Sequence, residues 1–578
     1  MQIMKKLTFL LFFIALSHNA LAAIDAQYNF ESGMPSFISV SGNGRAAAST
    51  EKFKDGKQSV KYSWDGTSEI VFSNHSDIES SMKVNGAGLM MWVYNTESMN
   101  EPLLFTFYDW LGNEICHFNF NMNHTGWRAI WMKYIDMLTP EGHYGDKKPA
   151  ERNTLAAKMT ITSMAPQGTL YIDRVSFPTK KLHAQITPDM QIPENNFNLE
   201  RDLWQWCRLW EWEQYKEPEI RPINEGEREM LRAVEKRMDE WAGAGNPGAE
   251  YTQNTLLSRA QGLIDKYGIH RLPGGSITGA PLLSDDEFKN AAGEMRIRFI
   301  QDIVYWYALD YLYTGNTANV GKVIDAMDHA IDQGFAYGSG MGTNHHYGYQ
   351  VRNLYKGIWI LREPLEKEGK LQEYLKTLSY WSGLQEVRMP YEQTRDGVLD
   401  AWHTLHNCRV VSAMLESSDD VKYAYKKALG AWTSGSLGFT DGTVGGLKVD
   451  GTSFHHGGHY PGYSVGAFAA LGEFIRFTFG TDFEIDEAAR RDFKEALMAM
   501  YDYTNGRDWG IGVCGRHPLS GRIPDADVEA YGQLALLGDL TGKGLAADPD
   551  LAGAYIALGG KERKALAAIK KAGLKAKR

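Results

Sequence analysis

Apolar and polar residues alternate with a period of two over the first third of the chain. In His117–Asn123, Phe118, Phe120 and Met122 share one face and polar residues the other, the pattern of a half-buried strand. Similar runs occupy Ser59–Trp64, Leu89–Tyr94, Leu103–Trp110, Trp127–Lys133 and Thr169–Phe177, separated by Gly, Asn and Asp clusters. They predict an antiparallel β-sandwich over residues 23–178. Residues 179–200 contain Pro188 and Pro193 and no sustained period, and read as a linker. From residue 201 to 578 the period becomes 3.6. Ile300, Ile303, Val304, Tyr307, Ala308, Tyr311 and Leu312 form one stripe, and Gly315 stands where a helix would stop. The same period recurs near Glu227–Ala242, Leu354–Glu366, His403–Leu415, Val465–Phe479 and Asp527–Leu537, among others. These patterns predict helical hairpins stacked as a superhelix or a closed α/α toroid.

The first 22 residues have another character. Lys5 and Lys6 precede an apolar run from Leu7 to Leu16, and Ala20-Leu21-Ala22 supplies small residues at a cleavage point, which predicts a signal peptide over residues 1–22. The chain is therefore expected to be exported, to a bacterial periplasm or beyond. No later apolar run reaches the roughly 18 residues of a membrane span. The cysteines Cys116, Cys207, Cys408 and Cys514 form no paired motif, so free, buried thiols are expected. Among 578 residues, 43% are hydrophobic and 23% charged, which excludes a disordered or collagenous chain. A net charge of −10 argues against a nucleic-acid binder with a basic face. No motif points to a protein partner, so a monomer is expected.

Three Gly-rich segments break the helical pattern and carry the reactive side chains. One runs from Gly334 to Asn353 and holds His345, His346 and Arg352. A second, Asp441–Ser464, holds His455, His456, His459 and Tyr463, with Ser464 placed to cap the helix after it. A third, Asn505–Pro518, holds Arg507 and Arg516, with Arg522 just beyond. Long ordered loops in a compact domain usually carry function. His, Tyr and Arg together suit β-elimination on a uronic acid. A base takes the C5 proton, an acid protonates the leaving oxygen, and cations or hydrogen bonds neutralise the carboxylate as charge builds on it. This reading assigns His456 and Tyr463 to proton transfer and Arg516 to charge stabilisation. Hydrolysis by two carboxylates, with Asp441, Asp450 and Asp508 as candidates, and glycan binding without catalysis are the alternatives. A transition-metal site at His455, His456 and His459 is a further reading of that loop.

At these residues the sequence resembles the polysaccharide lyases of family eight, and within them the chondroitin sulfate ABC lyases. Asp450-Gly-Thr-Ser-Phe-His-His456-Gly-Gly-His-Tyr-Pro-Gly-Tyr463-Ser is similar to the family's His-Tyr segment. Gly515-Arg516-His517-Pro518 is similar to its arginine segment, and Asn344-His345-His346-Tyr347-Gly348-Tyr349 to its upstream histidine loop. The resemblance implies a signal peptide, a jelly roll and an incomplete α/α toroid. It also implies elimination at 4-linked uronic acids of anionic glycosaminoglycans: chondroitin and dermatan sulfates, with hyaluronan a further candidate. Tyr463 would act as general acid and as base on glucuronate, with His456 as base on iduronate. No cofactor is implied for the chemistry. The family also carries carboxyl-terminal β-sandwich domains that contribute a glutamate, for which this sequence offers no counterpart.

Further residues are candidates for binding. His345, His346, Arg352, His459, Arg507 and Arg522 could hold substrate carboxylates or sulfates, the arginines through bidentate contacts. In the β domain, Glu31, Asp55 and Asp173 resemble the calcium-site positions of carbohydrate-binding jelly rolls, and hard oxygen ligands from distant strands suit a structural Ca²⁺ or Mg²⁺.

Overall fold

The computed structural model describes residues 28–148, 152, 155–182, 190–196, 208–243, 253–282, 297–340, 347–393, 397–513 and 521–574. The first part is a β domain and the second is helical, as the two periods predict. Ten strands form one antiparallel sheet: β1 (Ile38–Ser49), β2 (Ser59–Phe72), β3 (Gly88–Asn95), β4 (Leu103–Asp109), β5 (Glu114–Phe120), β6 (Gly126–Lys133), β7 (Leu138–Thr139), β8 (Gly142–His143), β9 (Ala156–Ser163) and β10 (Gln167–Ser176). Their order is β6-β3-β10-β2-β9-β4-β5-β7-β8, with β1 on β2. The ladder is continuous, because β2 pairs with β10 through Val60–Asp65 and with β9 through Glu69–Phe72. The sheet curls about β2 and closes on a core that includes Tyr62, Ile70, Phe105, Phe118 and Ile161.

Two strands have no solvent face. On β3, Leu89, Met91 and Val93 enter the core of the β domain, while Met90, Trp92 and Tyr94 belong to the core of the helical domain. Strand β6 divides in the same way, with Ile130 and Met132 on one side and Trp127, Ala129 and Trp131 on the other. The period of two in these strands therefore separates two apolar cores, and not core from water. Polar contacts fix the join. Lys54, buried, gives its Nζ to Gln333 Oε1 at 2.7 Å and to the Gln333 carbonyl at 3.1 Å, and sits 4.1 Å above the Trp92 ring. Tyr94 donates to Asp332 Oδ1 at 2.9 Å. Gly126, at φ +82°, has no room for a Cβ, which would lie 2.8 Å from the Asp332 carbonyl.

The helical domain is built from paired helices. Arg298–Thr314 packs against Gln253–Tyr267 and Gly348–Ile360, and Ala467–Thr478 packs against Asp525–Leu536 and Val398–Thr404. Gly315 ends its helix in the left-handed region at φ +68°, its N–H on the Tyr311 carbonyl at 2.7 Å. Two expected helices are broken. Leu354–Glu366 falls across Gly348–Ile360 and Arg362–Lys367, because Pro364 has no N–H to continue the first helix. His403–Leu415 falls across Val398–Thr404 and His406–Met414. Cys116 and Cys408 are free and buried; Cys207, Cys514 and the expected signal peptide lie outside the described residues. No helix among the described residues is long and apolar enough to cross a membrane.

Replacing Trp92 by Ala removes a side chain shared between the domains and should cost about 3–5 kcal/mol. We expect chemical denaturation followed by tryptophan fluorescence and circular dichroism to show a lower midpoint and separate transitions for the two domains. A single transition at the wild-type midpoint would overturn this assignment of the interface.

Candidate active site

His456 stands at the tip of a minimal hairpin. Ser453–His455 pairs with Gly458–His459, with His455 opposite Gly458. The two residues between, His456 at φ +52° and Gly457 at φ +77°, are both left-handed. That is the conformation of a two-residue type I′ turn, which needs positive φ at both positions. Glycine adopts it freely, and histidine is among the few other residues that enter the region with any frequency. His456 and Gly457 are exposed, while Ser453 and His455 are buried.

The chain then returns beneath the tip. A single turn, Pro461–Ser464, places Tyr463 so that its hydroxyl lies 3.2 Å from His456 Nε2. The Tyr463 N–H rests on the Tyr460 carbonyl at 3.0 Å, and the Tyr460 ring meets Tyr463 edge-on at 4.7 Å. His455 packs its ring 4.1 Å from both His456 and Tyr463. Its Nε2 lies 3.5 Å from Asp400 Oδ2, and the other oxygen of Asp400 accepts the hydroxyl of Tyr349. A buried carboxylate from one helix thus lies beside the imidazole that packs against the exposed His456 and the half-buried Tyr463.

Further anchors act on either side. Lys448, buried, donates its Nζ to the Val444 carbonyl at 2.7 Å, to Thr440 Oγ1 at 2.9 Å and to the Thr440 carbonyl at 3.1 Å. It closes the loop before the hairpin on itself. Ser464 does not cap the following helix, as its sequence position suggests. It is buried with its Oγ bonded to Ser453 Oγ, and the helix starts later, at Ala467. The cap comes from elsewhere: Asp527 Oδ1, on Asp525–Leu536, accepts the N–H of Gly466 at 2.8 Å and of Ala469 at 3.2 Å. Burial pushes the Asp527 carboxyl up to about 7 against these stabilising bonds.

The remaining candidates separate. Arg352, on Gly348–Ile360, lies 6.0 Å from the Tyr349 ring and lines a cleft with Tyr349, His403 and Gly466. His459 packs edge-on at 5.2 Å against Tyr503, and burial lowers its pKa. Arg507 is not turned to this pair: it donates to the carbonyls of Leu558 at 2.7 Å and Gly559 at 3.3 Å and to Asp525, and so joins the third loop to the carboxyl-terminal helices. Arg522 is exposed, 3.9 Å from Asp508. Asp450 accepts the Thr452 N–H at 3.0 Å and its hydroxyl at 2.6 Å, a local turn. His345, His346 and Arg516 lie outside the described residues.

In the β domain, the expected cation ligands border one loop, residues 54–58, where Asp173 also accepts the Asp55 N–H at 3.4 Å. Glu31 Oε1 accepts the Lys57 and Gln58 N–H groups at 2.9 and 3.2 Å. Asp55 pairs with Arg174 at 2.6 Å, and Asp173 accepts the Lys54 N–H at 2.8 Å. Among the described residues no three His, Cys, Asp or Glu side chains are grouped to hold a metal ion.

Residues 219–565 match the family described as "Lyase, catalytic" and residues 25–194 the family described as "Lyase, N terminal". The chain is 27% identical over 541 residues to the chondroitin sulfate ABC exolyase of Bacteroides thetaiotaomicron, covering 88% of this chain and 50% of that one. It is 23% identical over 573 residues to the chondroitin sulfate ABC exolyase of Proteus vulgaris, covering 94% and 56%. The chain thus spans about half the length of the curated relatives it matches. Among solved structures, a chondroitin AC lyase of Streptomyces coelicolor A3 in complex with chondroitin sulphate shares 14% identity, with a TM-score of 0.38 over 60% of this chain and 50% of that one.

The Asp527 cap gives a test with a defined sign. Unfolded, its carboxyl titrates near 3.8; folded, near 7. Between those values the folded chain keeps a proton that the unfolded chain has released, so this group's contribution to stability falls as pH rises from about 4 to about 7. Asp527→Asn still accepts both N–H groups and does not titrate. We expect thermal melts to show the variant gaining on the wild type across that window. Asp527→Ala, which strands both donors, should be destabilised by about 1–3 kcal/mol throughout.

Proposed function

Given that this chain belongs to family eight of the polysaccharide lyases, we propose that it cleaves chondroitin and dermatan sulfates by β-elimination at 4-linked uronic acids. The observation that carries this reading is the 3.2 Å contact between His456 Nε2 and the Tyr463 hydroxyl at an exposed tip. A phenol and an imidazole in contact can pass a proton between them, so one group can be ready as base while the other is ready as acid. In this reading Tyr463 protonates the leaving glycosidic oxygen and takes the C5 proton of glucuronate. His456 takes that of iduronate, whose C5 proton lies on the opposite face. Arg516 neutralises the uronate carboxylate as charge develops on it, a role that rests on the motif Gly515-Arg516-His517-Pro518. His345 and His346 bind substrate in this reading, which rests on their motif, and hyaluronan is a further substrate of the same chemistry. The amino-terminal leader suits export, where such polymers are met.

Elimination leaves a double bond conjugated with the carboxylate, and hydrolysis does not. Incubating the chain with chondroitin sulfate should therefore raise the near-ultraviolet absorbance. Tyr463→Phe and His456→Ala should each slow that rise by about 10²–10⁴-fold, the usual worth of a proton-transfer group. Shortened polymer without absorbance would point to hydrolysis instead. Unshortened polymer that still binds would point to glycan recognition alone.

A further inference from the structure

One wall away from Tyr463 lies a cleft of about 380 Å³, at the small end of the range for ligand sites (about 300–1,000 Å³). Tyr349, His403 and Gly466 separate it from the His456–Tyr463 pair: the Tyr349 hydroxyl holds Asp400, its ring meets His403 at 5.5 Å, and Gly466 follows Tyr463 by three residues. Its lining carries three cations, Arg298, Arg352 and Lys356, against one carboxylate, Glu473.

The cations are unusual in what they touch. Arg352 lies over the Tyr349 ring, and the Lys356 ammonium sits 4.7 Å above the Trp241 ring. Arg298 gives one donor to the Tyr349 carbonyl at 3.0 Å. Aromatic faces hold such cations in place yet leave their N–H groups to be claimed. The carboxylate is already engaged, taking Trp241 Nε1 at 3.1 Å and the Asn407 amide. Burial lowers the pKa of both Arg352 and Lys356, as for cations that have lost water without gaining a full counter-charge. His403 is pushed down to about 4 by burial and by Arg352, so at neutral pH it adds a hydrogen-bonding ring and no charge.

We propose that this cleft binds an oxyanion of the polymer near the cleaved uronate, held by Arg298, Arg352 and Lys356. The group is a sulfate ester or a second uronate carboxylate. The inference rests on reading the chain as a lyase of anionic polysaccharides, and deepens it by locating where substituents of the polymer are distinguished.

Lys356→Met keeps the alkyl stem over Trp241 and removes the charge; Arg298→Gln is the second variant, and melting curves confirm that each is folded. Initial rates by absorbance, on chondroitin sulfate and on unsulfated chondroitin, give KM for each polymer. If sulfate is the occupant, KM on the sulfated polymer rises about tenfold, and more than on the unsulfated one. If a carboxylate is the occupant, both rise together. KM within twofold of wild type on both polymers, in both folded variants, overturns the proposal. Titration calorimetry with a sulfated chondroitin tetrasaccharide is run in parallel, so that failure of the site is distinguishable from failure of the lyase reading. A flat wild-type absorbance sinks the lyase reading, whereas equal calorimetric affinities of wild type and Lys356→Met sink the cleft.

Discussion

A hairpin of three residues and two, closed by a left-handed turn and flanked only by the two-residue strand Gly446–Leu447, has no stability of its own. His456 can hold a fixed place only because its neighbours are buried in something rigid. Each link in that support is a specific contact: His455 against Asp400, Ser453 against Ser464, Lys448 across its own loop, and Asp527 beneath the helix that begins at Ala467. These contacts come from four different stretches of the helical domain. The hairpin is therefore a consequence of the whole helical array, and its turn at His456 and Gly457 is exposed.

That array is continuous with the β domain. Strands β3 and β6 have both faces buried, and the aromatic side chains Trp92, Trp127 and Trp131 on their far faces belong to the helical core. The join is also polar where the chain must turn. Met190 gives its N–H to the Gly338 carbonyl at 2.9 Å, and Asn121 holds the Met190 carbonyl at 3.0 Å. Lys54 fixes Gln333 from the other side. The segment that leads toward Tyr347 and the Gly348–Ile360 helix thus starts from the interface, and that helix carries Tyr349, the partner of Asp400. A path of packed contacts therefore runs from the β domain to the hairpin.

Strong periodicity made most of this legible in sequence. Strands β3, β6 and β10 and the helix ended by Gly315 stand within one or two residues of where the pattern puts them. Strand β1 was hidden because it lies on the outside of β2, mostly exposed, and reads Ile-Ser-Val-Ser-Gly-Asn-Gly with little apolar contrast. The pairing of His456 with Tyr463 followed from a seven-residue spacing within one loop. Asp400, Tyr349 and Asp527 did not, since each reaches the site from tens of residues away and no local pattern marks a helical Asp as an anchor. Arg507 stands apart from these residues. It shares a loop with Arg516, yet its geometry serves the carbonyls that end the Pro549–Ala557 helix.

The same residue types play opposite parts in this molecule, and burial with partners decides which. Lys448 and Lys54 are buried with carbonyl or amide acceptors in reach, and they tie segments together. Arg352 and Lys356 rest on aromatic faces beside a carboxylate that two other donors already hold. A cation whose acceptors are supplied by the fold is structural. One that the fold has desolvated without supplying acceptors remains a place for an anion to enter, and here that place is lined by Tyr349, the partner of Asp400, and by Gly466, three residues after Tyr463.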